Sequence, residues 1–256
     1  MASWDNLYER LRNGLFLSSM IGKTDGAFCA ERGRGCAMVQ LGAYLAEPPA
    51  YKVRPYVLPP ERDECVQFLK AEFMKVKESF DTVVCVNLAT PELDWGIKAA
   101  ECVDLAGGDI LELNIHGGYK PYFERGRLRA MVLPENRGEL FKWLSEFSRL
   151  DIPVIVKFRK GFIDDYSPIL DRVVDMDLFG VHFNVRDDIS KRPDFNFVRW
   201  IKENYDLFLL VSGYVRSAND VVKLFKCGAD MVGIAEPVLT DPNYIQRIAS
   251  NLKRIR

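Results

Sequence analysis

The sequence lacks the features that would mark several common classes of protein. It has only two histidines, and its six cysteines include no Cys-x-x-Cys pair, so no structural zinc site is expected. It has no run of 18 apolar residues and no basic segment followed by an apolar one at its start, which predicts a cytoplasmic protein with no membrane partner. Lys plus Arg (35) and Asp plus Glu (36) leave a net charge of −1, so no overall basic field favours nucleic acid.

What the sequence does contain is an ordinary globular composition and a regular pattern. Of 256 residues 48% are hydrophobic and 28% are charged, enough for a substantial core in which the cysteines are expected to be buried thiols. Eight short apolar runs alternate with amphipathic segments. The runs are 15–20, 36–41, 82–88, 109–114, 153–158, 179–184, 207–212 and 231–235.

These runs are too short for helices and rich in Val, Ile, Leu and Phe, which is typical of parallel strands buried on both faces. Strand then helix, repeated eight times, predicts a single-domain (β/α)8 TIM barrel over residues 1–256. A doubly wound open sheet ranks second, because no Gly-x-Gly-x-x-Gly follows the first run. The two longest connections, 42–60 and 115–133, are then expected at the mouth of the barrel, and the first contains five of the thirteen prolines. A final helix is expected over about 242–256.

Polar residues stand at the ends of several predicted strands, where such barrels have their active sites. His116 follows the fourth strand and His182 ends the sixth, although either could simply hydrogen-bond a neighbouring loop. Lys157 ends the fifth strand, where an ammonium is costly to bury unless it meets an anion or an acceptor. Asn87 and Asn114, at the ends of the third and fourth strands, add neutral donors and acceptors at the same rim.

Two further segments suggest contacts with phosphate. Gly213 follows the seventh strand and the glycines of 228–234 flank the eighth, the usual place of a phosphate cradle in this fold, with Arg216 as an added charge. Segment 119–129 has four basic residues and one acid interleaved with aromatics, which suits contact with RNA. Packing of those aromatics on the barrel rim is an equal alternative. The basic residues are Lys120, Arg125, Arg127 and Arg129.

Several motifs, in order along the chain, resemble the tRNA-dihydrouridine synthase family. Segment 15–28, LFLSSMIGKTDGAF, is similar to the family's L-A-P-M-x-G-x-T-D-x-x-F, and 86–92 to its Q-L-x-G-x-x-P-E. Segment 111–114 is similar to its acid-x-N and 152–161 to its I-P-V-x-V-K-x-R-x-G. Gly213 and 228–232 match its glycine turns. The similarity extends over about residues 14–240.

The resemblance implies an FMN-binding barrel in which reduced flavin gives hydride to a uracil ring of tRNA. A small pyrimidine is the alternative substrate, and Asn114 would lie on the substrate side. Lys157 would lie near the flavin N1 and C2 carbonyl region, where a cation stabilises the reduced ring. The residues implied to hold FMN are Met20, Asn87, Lys157, His182, Gly213, Arg216, Gly233, Ala235 and Glu236.

The chain departs from the family pattern at chemically important positions. Gly117 stands where the family has its proton-donating cysteine, Asn87 where it has glutamine, and Glu236 where it commonly has arginine next to the phosphate. The family's tRNA-gripping helical domain is not expected after residue 256. We therefore predict His116 as the replacement acid, since imidazole titrates near neutral pH, with Tyr119 in reserve.

Three alternative functions stay open at this point. A dihydroorotate-dehydrogenase-like flavoenzyme would share fold and cofactor. A Schiff-base aldolase would use Lys157 as its nucleophile. A non-catalytic barrel would keep flavin or an RNA-contacting loop without turnover.

Overall fold

A computed structural model describes residues 4–49 and 56–255, and it confirms the (β/α)8 barrel. Eight parallel strands close into a cylinder in which each strand pairs with its neighbours in sequence and the last pairs with the first. Each predicted apolar run overlaps one strand. The strands are β1 (Gly14–Leu17), β2 (Met38–Leu45), β3 (Val83–Ala89), β4 (Ile110–Asn114), β5 (Val154–Arg159), β6 (Gly180–Asn184), β7 (Leu209–Ser212) and β8 (Met231–Ile234).

Every strand is followed by at least one helix, and one helix precedes β1. The helices are α1 (Asp5–Leu11), α2 (Gly26–Arg32), α3 (Arg62–Lys77), α4 (Leu93–Leu105), α5 (Lys120–Phe123), α6 (Arg137–Phe147), α7 (Ser167–Val173), α8 (Phe195–Asn204), α9 (Ala218–Lys226), α10 (Pro237–Thr240) and α11 (Tyr244–Ile255). Short 3-10 helices over Leu128–Val132 and Pro134–Asn136 precede α6, and Arg186–Asp187 pairs with Arg192–Pro193 in a small hairpin after β6. None of the described helices is both long and apolar enough to cross a bilayer.

The amino-terminal end of the barrel is filled with apolar side chains and closed by α1. Leu11 at the end of α1 is buried. Tyr8 stacks on Phe179, with ring centroids 4.4 Å apart, and donates its hydroxyl to the Phe179 carbonyl at 2.9 Å. The apolar layer above them comprises Phe16, Met38, Val83, Cys85, Ile110, Ile155, Leu210 and Met231. This packing leaves the carboxyl-terminal mouth as the way into the barrel.

A second, larger core lies between the outer faces of the strands and the surrounding helices. All six cysteines are free and buried, as expected from their apolar context. Each strand packs against apolar side chains on both the inner and the outer face of the barrel, which explains why the strands are continuous apolar runs in the sequence.

The two long connections come together at the mouth. The chain returns after β2 so that Leu45 accepts a bond from Leu58 N at 2.9 Å and donates to the carbonyl of Tyr56 at 2.8 Å. Leu45 also packs with Tyr122 and Leu128 from the connection after β4. Residues 50–55, which include Pro55 of the proline-rich segment, lie outside the described residues.

Candidate active site

A polar layer lies inside the barrel, directly above the apolar one. It is built from inward-facing residues of consecutive strands, since Asn87 is in register with Glu112 and Lys157 with His182. Gln40 from β2 completes the layer. All five side chains are buried, and even Lys157 is only 3% exposed. Because buried polar groups need partners, these five side chains must satisfy one another.

Glu112 is the centre of this layer. Its Oε1 accepts from Lys157 Nζ at 3.1 Å and from the amide of Asn87. Its Oε2 accepts from Gln40 Nε2 at 2.6 Å and bonds His182 Nδ1 at 2.6 Å. A buried ion pair is stable only with such complete hydrogen bonding. Glu112 therefore holds the ammonium of Lys157 at a fixed place at the top of the layer.

The electrostatics of the layer keep Glu112 ionised and His182 neutral. Burial alone would raise the pKa of Glu112, but the charge of Lys157 and the hydrogen bonds it accepts outweigh burial and hold the pKa well below its usual range. Burial lowers the pKa of His182, against the opposing effect of Glu112. Since an ionised carboxylate only accepts, Nδ1 donates to it, and Nε2 accepts from the Ser212 hydroxyl at 2.8 Å.

Asn114 shapes the turn that leaves β4. Its Nδ2 donates to Asn87 Oδ1 at 2.9 Å, and its own Oδ1 accepts from the backbone amides of His116 at 3.0 Å and Gly117 at 2.9 Å. The side chain of His116 is thereby fixed at the mouth. Its Nδ1 is buried and has no hydrogen-bond partner among the described residues. Burial, followed by the charge of Lys157, holds the pKa of His116 well below its usual value.

This shift bears on the role of His116 as proton donor, which stays a prediction. A general acid that starts as imidazolium near neutral pH requires an ordinary or raised pKa, and the lowered one leaves the ring neutral. A neutral ring can donate a hydrogen bond but is a weak proton donor. Tyr119, the reserve candidate, also lines the cavity.

A cavity of about 500 Å³ opens above the polar layer. Lys157, Asn114 and Ser212 reach it from the layer below, and Leu45, Tyr56 and Leu128 form an apolar wall. The remaining described lining includes Ser18, Ser19, Ile21, His116, Gly117, Gly118, Tyr119, Asn184, Arg186, Gly213, Tyr214, Val215, Arg216, Gly233, Ala235 and Glu236.

The predicted phosphate side, after β7 and β8, does face the cavity. Gly213 has φ +106°, a conformation that favours glycine. Gly233 has a second role, because a Cβ there would lie 2.4 Å from the ring of Phe16 below. Arg216 also faces the cavity but is ion-paired with Glu236, so part of its charge is already offset.

Three residues predicted to touch a cofactor lie elsewhere. Met20 packs against the outer core and is not among the described residues that line the cavity. Asn87 and His182 are fully buried beneath the floor and bond Glu112. Their predicted direct contact with a ligand is corrected to an indirect one, because they position Glu112 and, through it, Lys157.

The aromatic residues of segment 119–129 pack on the rim rather than face solvent for base stacking. Tyr122 is buried and donates to Glu47, while Tyr119 packs edge-on against Tyr122 at 5.0 Å. Phe123 packs edge-on against Phe162 at 5.9 Å. The packing alternative is therefore the one that the structure favours.

The basic residues of the same segment are also largely engaged. Arg127 donates to the Pro91 carbonyl at 3.0 Å and lies over the Trp143 ring. Lys120 pairs with Glu124 at 3.6 Å, and Arg125 with Glu92 at 3.4 Å. Arg129 lies over the rings of Phe123 and Phe162. The local excess of positive charge is thus much smaller at the surface than the sequence suggests.

Sequence reasoning missed Glu112, Gln40 and Arg186 as site residues. The signal for Glu112 was present, because a carboxylate inside an apolar strand needs a partner for the same reason as Lys157 does. Gln40 offers the same signal in a weaker form. Arg186, which lines the cavity, follows β6 in a segment that had no apolar pattern to place it.

Comparison with known proteins supports the fold and a distant relationship. No protein-family model matches the chain. The chain is 25% identical to isopentenyl-diphosphate delta-isomerase from Staphylococcus saprophyticus over an alignment of 190 residues. The alignment covers 62% of this chain and 52% of that protein. Over 56 residues it is 38% identical to imidazole glycerol phosphate synthase subunit HisF from Pasteurella multocida, 22% of each protein.

A solved structure shares the barrel over nearly the whole chain. It is 6-hydroxypseudooxynicotine amine oxidase from Pseudomonas geniculata N1, with a TM-score of 0.68, 17% identity, and coverage of 98% of this chain and 50% of that one. At this identity the likeness shows the fold alone. The chain spans about half the length of this protein and of the isomerase. The dihydrouridine synthase resemblance remains a prediction.

Proposed function

We propose that the protein is an FMN-dependent oxidoreductase that acts on a uracil-like ring, in a small pyrimidine or in RNA. The observation that carries this proposal is the fixed ammonium of Lys157 on the floor of a cavity of about 500 Å³ at the mouth of a (β/α)8 barrel. Cavities of ~300–1,000 Å³ at this face commonly hold cofactors and small substrates.

The residues present fit the cofactor. The Nδ1 of His116 is a buried polar atom at the cavity that lacks a partner among the described residues, which is where a polar ligand atom would complete the hydrogen bonding. Gly213, Gly233, Ala235 and Arg216 would hold the phosphate, and Lys157 the polar edge of the ring. Glu236, which pairs with Arg216, would share that arginine with the phosphate. When bound, the flavin supplies hydride transfer.

The protein's own contribution is a positioned charge. Glu112 fixes Lys157 through the ion pair, while Gln40, Asn87 and His182 fix Glu112. A cation held in advance needs no reorganisation when negative charge develops next to it. The apolar wall of Leu45, Tyr56 and Leu128 would limit the access of water to the cavity. Tyr119 and neutral His116 are the groups placed to hold a proton near the substrate.

The two curated relatives are consistent with a phosphorylated ligand, because they are named for a diphosphate and a phosphate compound. The structural neighbour, named as an oxidase, supports the barrel alone at 17% identity.

The aldolase alternative is disfavoured by the ion pair. A Schiff-base lysine must offer an unprotonated amine, and Lys157 is 3.1 Å from an ionised carboxylate. A dihydroorotate-dehydrogenase-like enzyme is the small-molecule form of the same proposal. A non-catalytic flavin barrel would share the cavity but show no turnover.

The first test is the visible spectrum and FMN content of the purified protein. We expect about one FMN per chain, visible flavin absorbance that bleaches with dithionite, and reoxidation when a suitable pyrimidine or RNA substrate is added. A colourless protein that takes up no FMN on reconstitution would overturn the proposal. Flavin without turnover of any pyrimidine or RNA would favour the non-catalytic barrel.

A double variant tests the role of the Lys157–Glu112 ion pair at the floor of the cavity. Lys157→Met with Glu112→Gln removes both charges, so neither is left buried alone. We expect FMN affinity to fall at least about tenfold, which is ~1.4 kcal/mol, while the circular dichroism spectrum stays that of the barrel. The matched control, Arg149→Met with Glu146→Gln, removes an exposed pair at the carboxyl-terminal end of α6 and should leave FMN affinity unchanged.

A further inference from the structure

One side of the cavity mouth carries a cluster of guanidinium groups, here called the arginine cluster: Arg129, Arg159 and Arg186. Arg159 ends β5, Arg186 follows β6, and Arg129 belongs to the 3-10 helix after β4. Arg186 lines the cavity directly. Arg129 lies against Gly118, another lining residue, where a Cβ would be 2.6 Å from the guanidinium carbon. The ends of β5 and β6 and the 3-10 helix after β4 thus bring three cations to one wall.

The cluster has more positive charge than its described partners neutralise. Asp188 pairs with Arg159 at 3.0 Å and with Arg186 at 3.2 Å, and it accepts from the Tyr214 hydroxyl at 2.8 Å. Arg129 makes no ion pair with any described residue. Three guanidinium groups against one carboxylate leave an excess of two positive charges on this wall.

One donor of the cluster is buried and unused: the Nε of Arg129 has no hydrogen-bond partner within residues 4–49 and 56–255. The Nε of Arg186 is also buried, and it lies 3.2 Å from Asp188 Oδ1 without the alignment of a hydrogen bond. A buried cationic N–H without an acceptor is unfavourable, and its natural complement is an anionic oxygen. The planar fork of arginine matches carboxylate and phosphate groups in particular.

The charges already assigned have partners of their own. Lys157 is neutralised by Glu112 at the floor of the cavity, and Arg216, which lies over the same Tyr214 ring as Arg186, is paired with Glu236. The side chains of Arg159 and Arg186 are 17% and 36% exposed, and Arg186 lines the cavity, so the cluster adjoins the mouth of the cavity. A small substrate in the cavity is therefore better placed to reach it than the backbone of a large nucleic acid.

We propose that the substrate is a small ring compound bearing an anionic group, a carboxylate or a phosphate, and that the arginine cluster binds this group beside the ring. The inference deepens the proposed oxidoreductase and rests on it for the nature of the ring. Asp188, which is 49% exposed in the hairpin after β6, would share the guanidinium groups with the substrate.

Calorimetric titration with three related probes tests the inference. Uracil presents the ring alone, orotate the same ring with a carboxylate, and uridine 5′-monophosphate a ring with a phosphate. We expect orotate or the monophosphate to bind at least about tenfold more tightly than uracil in dilute salt, and this advantage to shrink in concentrated salt. Tighter binding of orotate would identify the anionic group as a carboxylate, and tighter binding of the monophosphate would identify it as a phosphate.

Variants assign the effect to the cluster. Arg186→Gln and Arg159→Gln should each remove most of the anionic advantage and leave uracil binding unchanged, with Arg186→Lys intermediate because it keeps charge but loses the fork. Arg149→Gln, at an exposed position just after α6, is the matched control and should change nothing. Thermal unfolding of each variant checks that the barrel is intact.

Equal binding of all three probes, or an anionic advantage that survives both glutamine variants, would overturn the inference. The titration measures heat rather than flavin colour, so the two proposals fail separately. A colourless protein that binds orotate through Arg186 would contradict the flavin proposal alone. A flavoprotein indifferent to the anion would contradict the anion-binding inference alone.

Discussion

At the scale of single residues, burial decides the protonation of the two histidines. Burial lowers the pKa of both His116 and His182, in spite of Glu112 next to His182. In the unfolded chain the same side chains have an ordinary pKa near 6.5, so the unfolded state binds protons that the folded state does not. The free energy of unfolding must therefore fall as the pH drops below about 6.5, by up to ~1.4 kcal/mol per pH unit for each histidine.

Proton NMR can check this directly, because the chain has only two histidine C2–H resonances to follow. In the native protein we expect both to titrate below pH 6.5, with His116 well below it, and in urea both to titrate near 6.5. Urea unfolding at a series of pH values should show the matching loss of stability. A native His116 resonance that titrates at 6.5 or above would restore His116 as an imidazolium donor, whereas such a resonance from His182 would show a further charge in the polar layer.

At the scale of elements, the strands could be predicted because barrel strands are buried on both faces, so that an apolar run as short as 153–158 fits a strand better than a helix. The pairing of polar side chains inside the barrel could not be predicted from the sequence. Lys157 and Glu112 are 45 positions apart, and only the pairing of β4 with β5 brings them to 3.1 Å. The sequence shows that each charge needs a partner, but it does not show whether that partner is a ligand or another side chain.

Segment 119–129 illustrates the same limit. Its composition is equally compatible with binding RNA and with packing, because a short irregular loop has no regular spacing that shows which side chains face inward. Tyr122 is buried against Leu45 and Leu128, and Arg127 lies over Trp143 of α6, so both positions depend on tertiary contacts.

The turn after β7 offers a test at this scale. Gly213→Ala should lower the free energy of unfolding by about 1–3 kcal/mol, because φ is +106° and the new Cβ would lie 2.7 Å from Asn184 Oδ1 and 2.9 Å from Arg186 N. The matched control has the opposite sign: Gly138→Ala in α6 meets nothing within 4 Å and should stabilise by about 0.5–1 kcal/mol. Urea denaturation measures both. Unchanged stability in Gly213→Ala would mean that the turn can adopt another backbone conformation.

At the scale of the whole molecule, charge bears on whether RNA is a partner. The net charge is −1, and most basic residues of segment 119–129 pair with acids or lie over rings. Affinity for nucleic acid comes mainly from neutralising phosphates with cations that are exposed and available. The arginine cluster faces the cavity mouth and adds little to such a surface.

We therefore expect this chain alone to bind tRNA weakly, with Kd no tighter than about 10⁻⁵ M at physiological salt and a shallow dependence of log K on log salt. Filter binding of a tRNA transcript across a salt series measures both quantities. Lys120, with 82% of its side chain exposed, is the cation of the segment most able to contribute, so Lys120→Gln should reduce the slope, whereas Arg127→Gln should act mainly on stability. Submicromolar binding with a steep salt slope would contradict this expectation, and would favour uracil in RNA over a free pyrimidine as the ring that enters the cavity.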